Sequence, residues 1–298
     1  MQLNLRIADN NWGEGPQANI ETVARLVVGA FEPALSGTGR LDLLLEQNEQ
    51  PRAVSTLSDQ GEFVIHLSGP SMYCLQLTYQ LGHEFTHVMA GPLDWKPDRF
   101  AWFEECLADV GSLFALNGVA RNWESQHLRP GWDANPMNCR IYAANYLNEP
   151  GRSLSGGVDF KQWLTSELPS LKVEDAQRPR FTIIARHLLP VFERDPTAWR
   201  AIRYLHGFER PAGMTFAEFL KSWRDWCPTE SQHTVDVIAA ALGVSYPAAR
   251  TRPRSLQAKA LQYMAALRGA VSRPRPASRK KPRSVRSPRK TKRPGPAE

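Results

Sequence analysis

No run of 18 consecutive apolar residues occurs in this 298-residue sequence, so no membrane-spanning helix is expected. The opening segment, MQLNLRIADNNWGEG, has neither a basic start nor a continuous apolar stretch. It therefore does not read as a secretory signal, and a cytoplasmic protein is the expectation. Cysteine is scarce: Cys74, Cys106, Cys139 and Cys227, none in a C-x-x-C pair. That excludes a zinc knuckle, a thioredoxin motif and a disulfide scaffold, and leaves four reduced core residues as the reading. No G-x-S-x-G nucleophile elbow is present. The GTGR at 37–40 is too short for a phosphate loop and has no loop lysine after it.

What is present suits a folded body with a basic tail. Apolar residues make up 42% of the chain, and nine tryptophans argue against general disorder. Most of Trp102, Trp123, Trp132, Trp163, Trp199, Trp223 and Trp226 read as core anchors. The net charge of +7 conceals a division. Residues 250–298 hold sixteen Lys and Arg and one acid, Glu298. Taking these from the chain's 37 basic and 30 acidic residues leaves 21 and 29, a formal −8 over 1–249. From Ser272 onward Pro, Arg, Lys and Ser dominate, and disorder is expected. A tail of this kind can hold nucleic acid non-specifically by neutralising phosphates, or remain solvated against the protein's own acidic body.

Hydrophobic periodicity places the elements. LNLRIA, LDLLLEQN and GEFVIHLS read as strands, and NIETVARLVVGAFEPAL as a helix. Residues 71–90 form a helix with Ser71 as a plausible N-cap and Leu77, Leu81, Phe85 and Val88 as its apolar stripe. A second helix is expected from about Trp102 to Leu116, ended near Gly118. RIYAANYL and DFKQWLTSEL read as short helices. Four further helical segments follow between 179 and 247, and a last one is possible near 255–271. The fold expected is α+β: an N-terminal lobe (about 1–90) with a mixed sheet, a mostly helical C-terminal lobe (about 91–250), and a tail over 251–298.

The chemistry lies in Gly82-His83-Glu84-Phe85-Thr86-His87-Val88, an H-E-x-x-H pattern on the predicted helix. Histidines four apart share a face, so both imidazoles can reach one metal ion. Glu84 falls about 100° around the helix from His83, beside the metal's water rather than on the metal. Zinc lowers the pKa of such a water towards ~7, and a carboxylate can then take its proton during attack on a carbonyl. On its own the pattern also fits a helix with two surface histidines.

A catalytic zinc needs a third protein ligand and an open position. A third histidine in H-E-x-x-H-x-x-G-x-x-H spacing is absent, since Ala90 and Leu93 stand there. Asp94 and Asp98 are conceivable ligands. The helix Trp102-Phe103-Glu104-Glu105-Cys106-Leu107-Ala108-Asp109 offers a stronger one. Glu105 and Asp109 share a face, so Glu105 can bind the ion while Asp109 accepts the spare N–H of a ligand histidine. Glu104 is the rival, but its i+4 neighbour is Ala108.

At these residues the sequence resembles the gluzincin branch of the zincin metallopeptidases. HEFTHV matches the family's active-site helix. WFEECLAD looks like its W-x-x-E-G-L-A-[DE] helix, with Cys106 in the usual glycine position. The likeness covers about 60 residues, from GEFVIHLS to Leu116. It implies a zincin-like fold with one zinc ion on His83, His87 and Glu105, Glu84 as general base, Asp109 as partner of His83, and a peptide or protein substrate. It leaves endopeptidase and aminopeptidase activity open. It also implies an edge strand beside the active-site helix, for which Phe63–Leu67 is the candidate. Tyr142, Tyr146, His187 and Tyr204 are candidates for the group that stabilises the oxyanion. The alternatives are a zincin-shaped binding protein with little activity, and a nucleic-acid-associated protein with structural zinc.

Overall fold

Gln2–Ile7 alternates polar and apolar residues and forms strand β1, parallel to β2 (Arg40–Gln47), with Leu3 opposite Leu41 and Ile7 opposite Leu45. Helix α1 (Ala18–Ala30) and the short α2 (Glu32–Leu35) make the crossover between them. The computed structural model describes residues 1–246, apart from 10, 38, 55, 92–98 and 123–134. Strand β3 is the two-residue Arg52–Ala53, and β4 is Phe63–Leu67. The order across the sheet is β1-β2-β4-β3, with β3 antiparallel to β4 and the other neighbours parallel. Leu43, Leu45, Ile65 and Leu67 join the helical core, as the period-2 alternation of strands requires.

This order corrects the expected edge. β4 is flanked on both sides, by β2 and β3, so Phe63–Leu67 has no free edge on which a peptide could add. The edge strand is β3. The Val54 N–H donates to the Val64 carbonyl at 2.9 Å, so the alternate Ala53 N–H points away from β4.

The rest of the described body is helical: α3 (Cys74–Ala90), α4 (Ala101–Asn122), α5 (Pro136–Asn148), α6 (Phe160–Glu167), α7 (Arg178–Arg194), a 3-10 helix (Pro196–Tyr204), α8 (Phe216–Trp226) and α9 (Thr229–Leu242). The molecule is therefore α+β, with a small mixed sheet and mostly helical content. One apolar core runs from Trp12 to Leu242. Trp102, Trp199, Trp223 and Trp226 are buried and Trp163 is partly so, while Trp123 and Trp132 lie outside the described residues. All four cysteines are buried and unbridged. No described helix is long and apolar enough to cross a membrane.

Two glycines let α3 and α4 cross closely. A Cβ on Gly111 would lie 1.9 Å from Thr86 Oγ1 and 2.7 Å from the Gly82 carbonyl. A Cβ on Gly82 would meet Ala115 Cβ and the Gly111 carbonyl, each at 2.7 Å. Helix α4 is buried almost all round and packs on α1, α3, α5 and α7. Phe85 and Phe114 both close on Phe31, at 5.4 and 5.1 Å between ring centroids.

Two local expectations are corrected. Ser71 does not cap α3: its hydroxyl donates to the Glu14 carbonyl, and the helix starts at Cys74. Gly118 does not end α4, which runs to Asn122; a Cβ there would lie 2.5 Å from Ala30 Cβ, so it is a contact residue with α1.

Candidate metal centre

Helix α3 presents His83 and His87 on the face turned to α4, and the close crossing brings Glu105 up to both. His83 Nε2 lies 3.4 Å from Glu105 Oε2, and His87 Nε2 lies 3.6 Å from Glu105 Oε1. The three ligand atoms lie within 4.8 Å of one another, and together they could hold a metal ion. Bonds of ~2.0–2.1 Å in a tetrahedron put neighbouring ligand atoms about 3.3–3.4 Å apart. The observed separations are close to that edge. They exceed the ~2.7–3.2 Å of an ordinary N–H···O bond. Glu105 Oε2 is also buried without a hydrogen-bond partner, which is costly unless something else meets it. The donor set therefore fits a divalent ion. The His87 and Glu105 side chains each retain 18% of their exposure, so the cluster opens to one side.

Each histidine keeps its other nitrogen on a carboxylate. His83 Nδ1 is 3.5 Å from Asp109 Oδ1. Asp109 is only 1% exposed and is surrounded by donors. The hydroxyls of Tyr79, Tyr146 and Thr182 donate to it at 3.3, 3.3 and 3.1 Å. His87 Nδ1 lies 2.7 Å from Glu104 Oε1. Glu104, the rival ligand on sequence grounds, thus stands behind His87 as Asp109 stands behind His83.

The electrostatics follow from this arrangement. Burial works against charge on His83, yet hydrogen bonds to Asp109 and Glu105 outweigh it and raise its pKa to about 10 in the metal-free protein. His87 is raised likewise by Glu104, against its own burial. Burial raises the Glu105 carboxyl, but the hydrogen bond to His83 and the nearby His87 and Arg178 charges bring it down to about 2. Burial, with the Asp109 charge behind it, pushes the Tyr146 phenol up to about 12, so it remains a donor.

Glu84 is buried beside the cluster and contributes to raising His83. Its Oε2 accepts the Ala53 N–H at 2.6 Å, so the outward-facing amide of β3 fixes the carboxylate. Asp94 and Asp98 lie outside the described residues, as does the whole tail over 251–298.

The four oxyanion candidates are engaged in other ways. The Tyr146 hydroxyl belongs to the Asp109 network. Tyr142 packs on Tyr79 at 6.0 Å. The His187 Nδ1–H donates to the Ile183 carbonyl, and its ring stacks on Phe160 at 3.6 Å. Tyr204 packs, partly buried, on the main core. Sequence reasoning missed Arg178, at the start of α7, whose Nη1 lies 3.5 Å from Glu105 Oε2 while its side chain stays 44% exposed. It also missed His206, whose Nε2 is 2.9 Å from Glu104 Oε2. These residues stand 73 and 102 positions after Glu105 and Glu104, and no spacing rule links them to the motif.

No family model, curated protein or solved structure matches the chain, and the ground for a functional reading is the cluster itself.

Proposed function

We propose that this chain is a zinc-dependent peptidase with a zincin-like fold, its ion held by His83, His87 and Glu105. One observation carries the reading: two imidazoles and a carboxylate converge at ligand-to-ligand spacing, with a carboxylate oxygen buried and unbonded among them. Zinc is favoured over magnesium or calcium because two of the three donors are imidazole nitrogens. Three donors and an open side suit a catalytic site better than a closed structural one. Zinc in such a site supplies Lewis acidity, acidifying a water and polarising a carbonyl.

The chain's own groups do the rest. Glu84 is held at one oxygen by the Ala53 amide, which leaves Oε1 to take a proton from the attacking water and pass it to the leaving amine. Arg178 faces Glu105 from the exposed side. Once the ion takes up the Glu105 charge, the guanidinium is available to offset negative charge developing on the substrate oxygen. The outer edge of β3 is the place for an extended peptide main chain to pair beside Glu84.

A peptide-library digest of the zinc-loaded chain, with a chelator control, tests the reading. Glu84→Gln should retain one zinc per chain and lose hydrolysis. Arg178→Ala should retain zinc and lose about 10²–10³-fold in turnover. A zinc-loaded wild-type chain that cuts no peptide would leave the ion without the proposed activity.

A further inference from the structure

Behind His87 a buried polar chain runs further than the metal site requires. His206 stands in the turn after the 3-10 helix, and its side chain is 5% exposed. An Arg210 Nη2 hydrogen donates to His206 Nδ1 at 2.9 Å. A guanidinium has no acceptor, so Nδ1 must accept, and the ring hydrogen sits on Nε2. That nitrogen is 2.9 Å from Glu104 Oε2, on an oblique approach that leaves the oxygen without a fully aligned donor. The other oxygen, Oε1, is 2.7 Å from His87 Nδ1. A carboxylate only accepts, so Nδ1 of His87 carries the hydrogen and its Nε2 lone pair is left facing Glu105.

The turn bearing His206 is itself clamped. Arg210 lies over the rings of Phe208 and Phe219, at 5.2 and 5.0 Å, and also donates to the Leu205 carbonyl. Gly207 lets the Trp226 indole close over the backbone, where a Cβ would come within 1.7 Å of Nε1. The series Arg210, His206, Glu104, His87 therefore joins a rigid C-terminal turn to the motif helix through α4.

We propose that His206 is a positioning residue for the metal centre: through Glu104 it fixes the orientation and tautomer of His87. The inference rests on the metal reading above. His83 is oriented separately, by Asp109, so the two ligand histidines answer to different parts of the fold.

The test uses the full chain with His206→Leu and His206→Gln. Zinc affinity is read by competition with a chromophoric chelator, coordination by the visible spectrum of the cobalt-substituted protein, and folding by thermal unfolding of the metal-free chain. His206→Leu should weaken zinc about 10- to 100-fold and change the cobalt spectrum. His206→Gln can accept from Arg210 and donate to Glu104, and should recover most of the affinity and the wild-type spectrum. Glu104→Gln, which keeps shape but loses the charge, should also weaken zinc and serves if His206→Leu does not fold. Wild-type affinity and spectrum in His206→Leu, or in Glu104→Gln, overturn the inference, as does a folded His206→Gln no better than His206→Leu. A wild-type chain that takes up no zinc overturns the metal reading itself, and this inference with it.

Discussion

Protonation is the residue-scale question, because the ion and a proton compete for the same lone pair. In the metal-free protein His83 sits between Asp109 and Glu105, which raise its pKa to about 10. A histidine raised in this way stabilises the fold fully below about 6.5, its unfolded value, and that stability is lost as pH rises through about 10. Glu105, lowered to about 2, contributes above its ordinary carboxylate range and loses that contribution as pH falls through about 2. Zinc must displace the proton on His83 Nε2, while Nδ1–H stays on Asp109. At pH 7 uptake should therefore release protons, and affinity should rise with pH between 6 and 8, roughly tenfold per unit for each proton released. Calorimetry in buffers of different ionisation enthalpy counts them; uptake with no proton release contradicts this charge arrangement. The sequence made His83, Glu84 and His87 legible by spacing along one helix, and Glu105 with Asp109 by spacing along another. The roles of Glu104, Arg178 and His206 depend on how separate elements pack, which no local pattern encodes.

At the scale of elements, the crossing of α3 and α4 decides whether the ligands meet. Gly82 and Gly111 read as ordinary helical residues in sequence, and a helix-interior glycine carries a propensity cost of about 1 kcal/mol against alanine. Their value is tertiary: side chains there would collide with Thr86 and the opposite backbone. Gly111→Ala should therefore destabilise, because about 1–3 kcal/mol of overpacking outweighs the gain in propensity. It should also weaken zinc binding, since the carboxylate of Glu105 would be pushed from the histidines. Urea unfolding of the metal-free variant together with a zinc titration checks both, and a variant as stable as wild type with unchanged affinity contradicts the crossing as described. Gly118 shows the same limit of local reading. It suggests a helix end in sequence, whereas in the fold it is the point where α4 meets Ala30. Ser71 likewise looks like a cap but spends its hydroxyl on Glu14.

For the whole molecule, the sequence carried the α+β class, since strand-like alternation fills the first third and helical periodicity the remainder. It misplaced the edge of the sheet, because Arg52–Ala53 is too short to show a period and strand order is not written in any one strand. That order matters: it sets an amide of the edge strand on Glu84, and the helices beyond α4 supply Thr182, Arg178 and His206 to the same centre. The metal centre thus draws on the sheet, the motif helix and the C-terminal helices together. Its central claim is that one ion is held by two imidazoles and one carboxylate. X-ray absorption at the zinc edge, on the chain loaded with one equivalent, tests this most directly. The account predicts nitrogen and oxygen neighbours near ~2.0–2.1 Å, including two imidazoles, with the signal lost when His83 and His87 are both replaced by alanine. Sulfur scattering near ~2.3 Å, or a spectrum indifferent to those replacements, would contradict it.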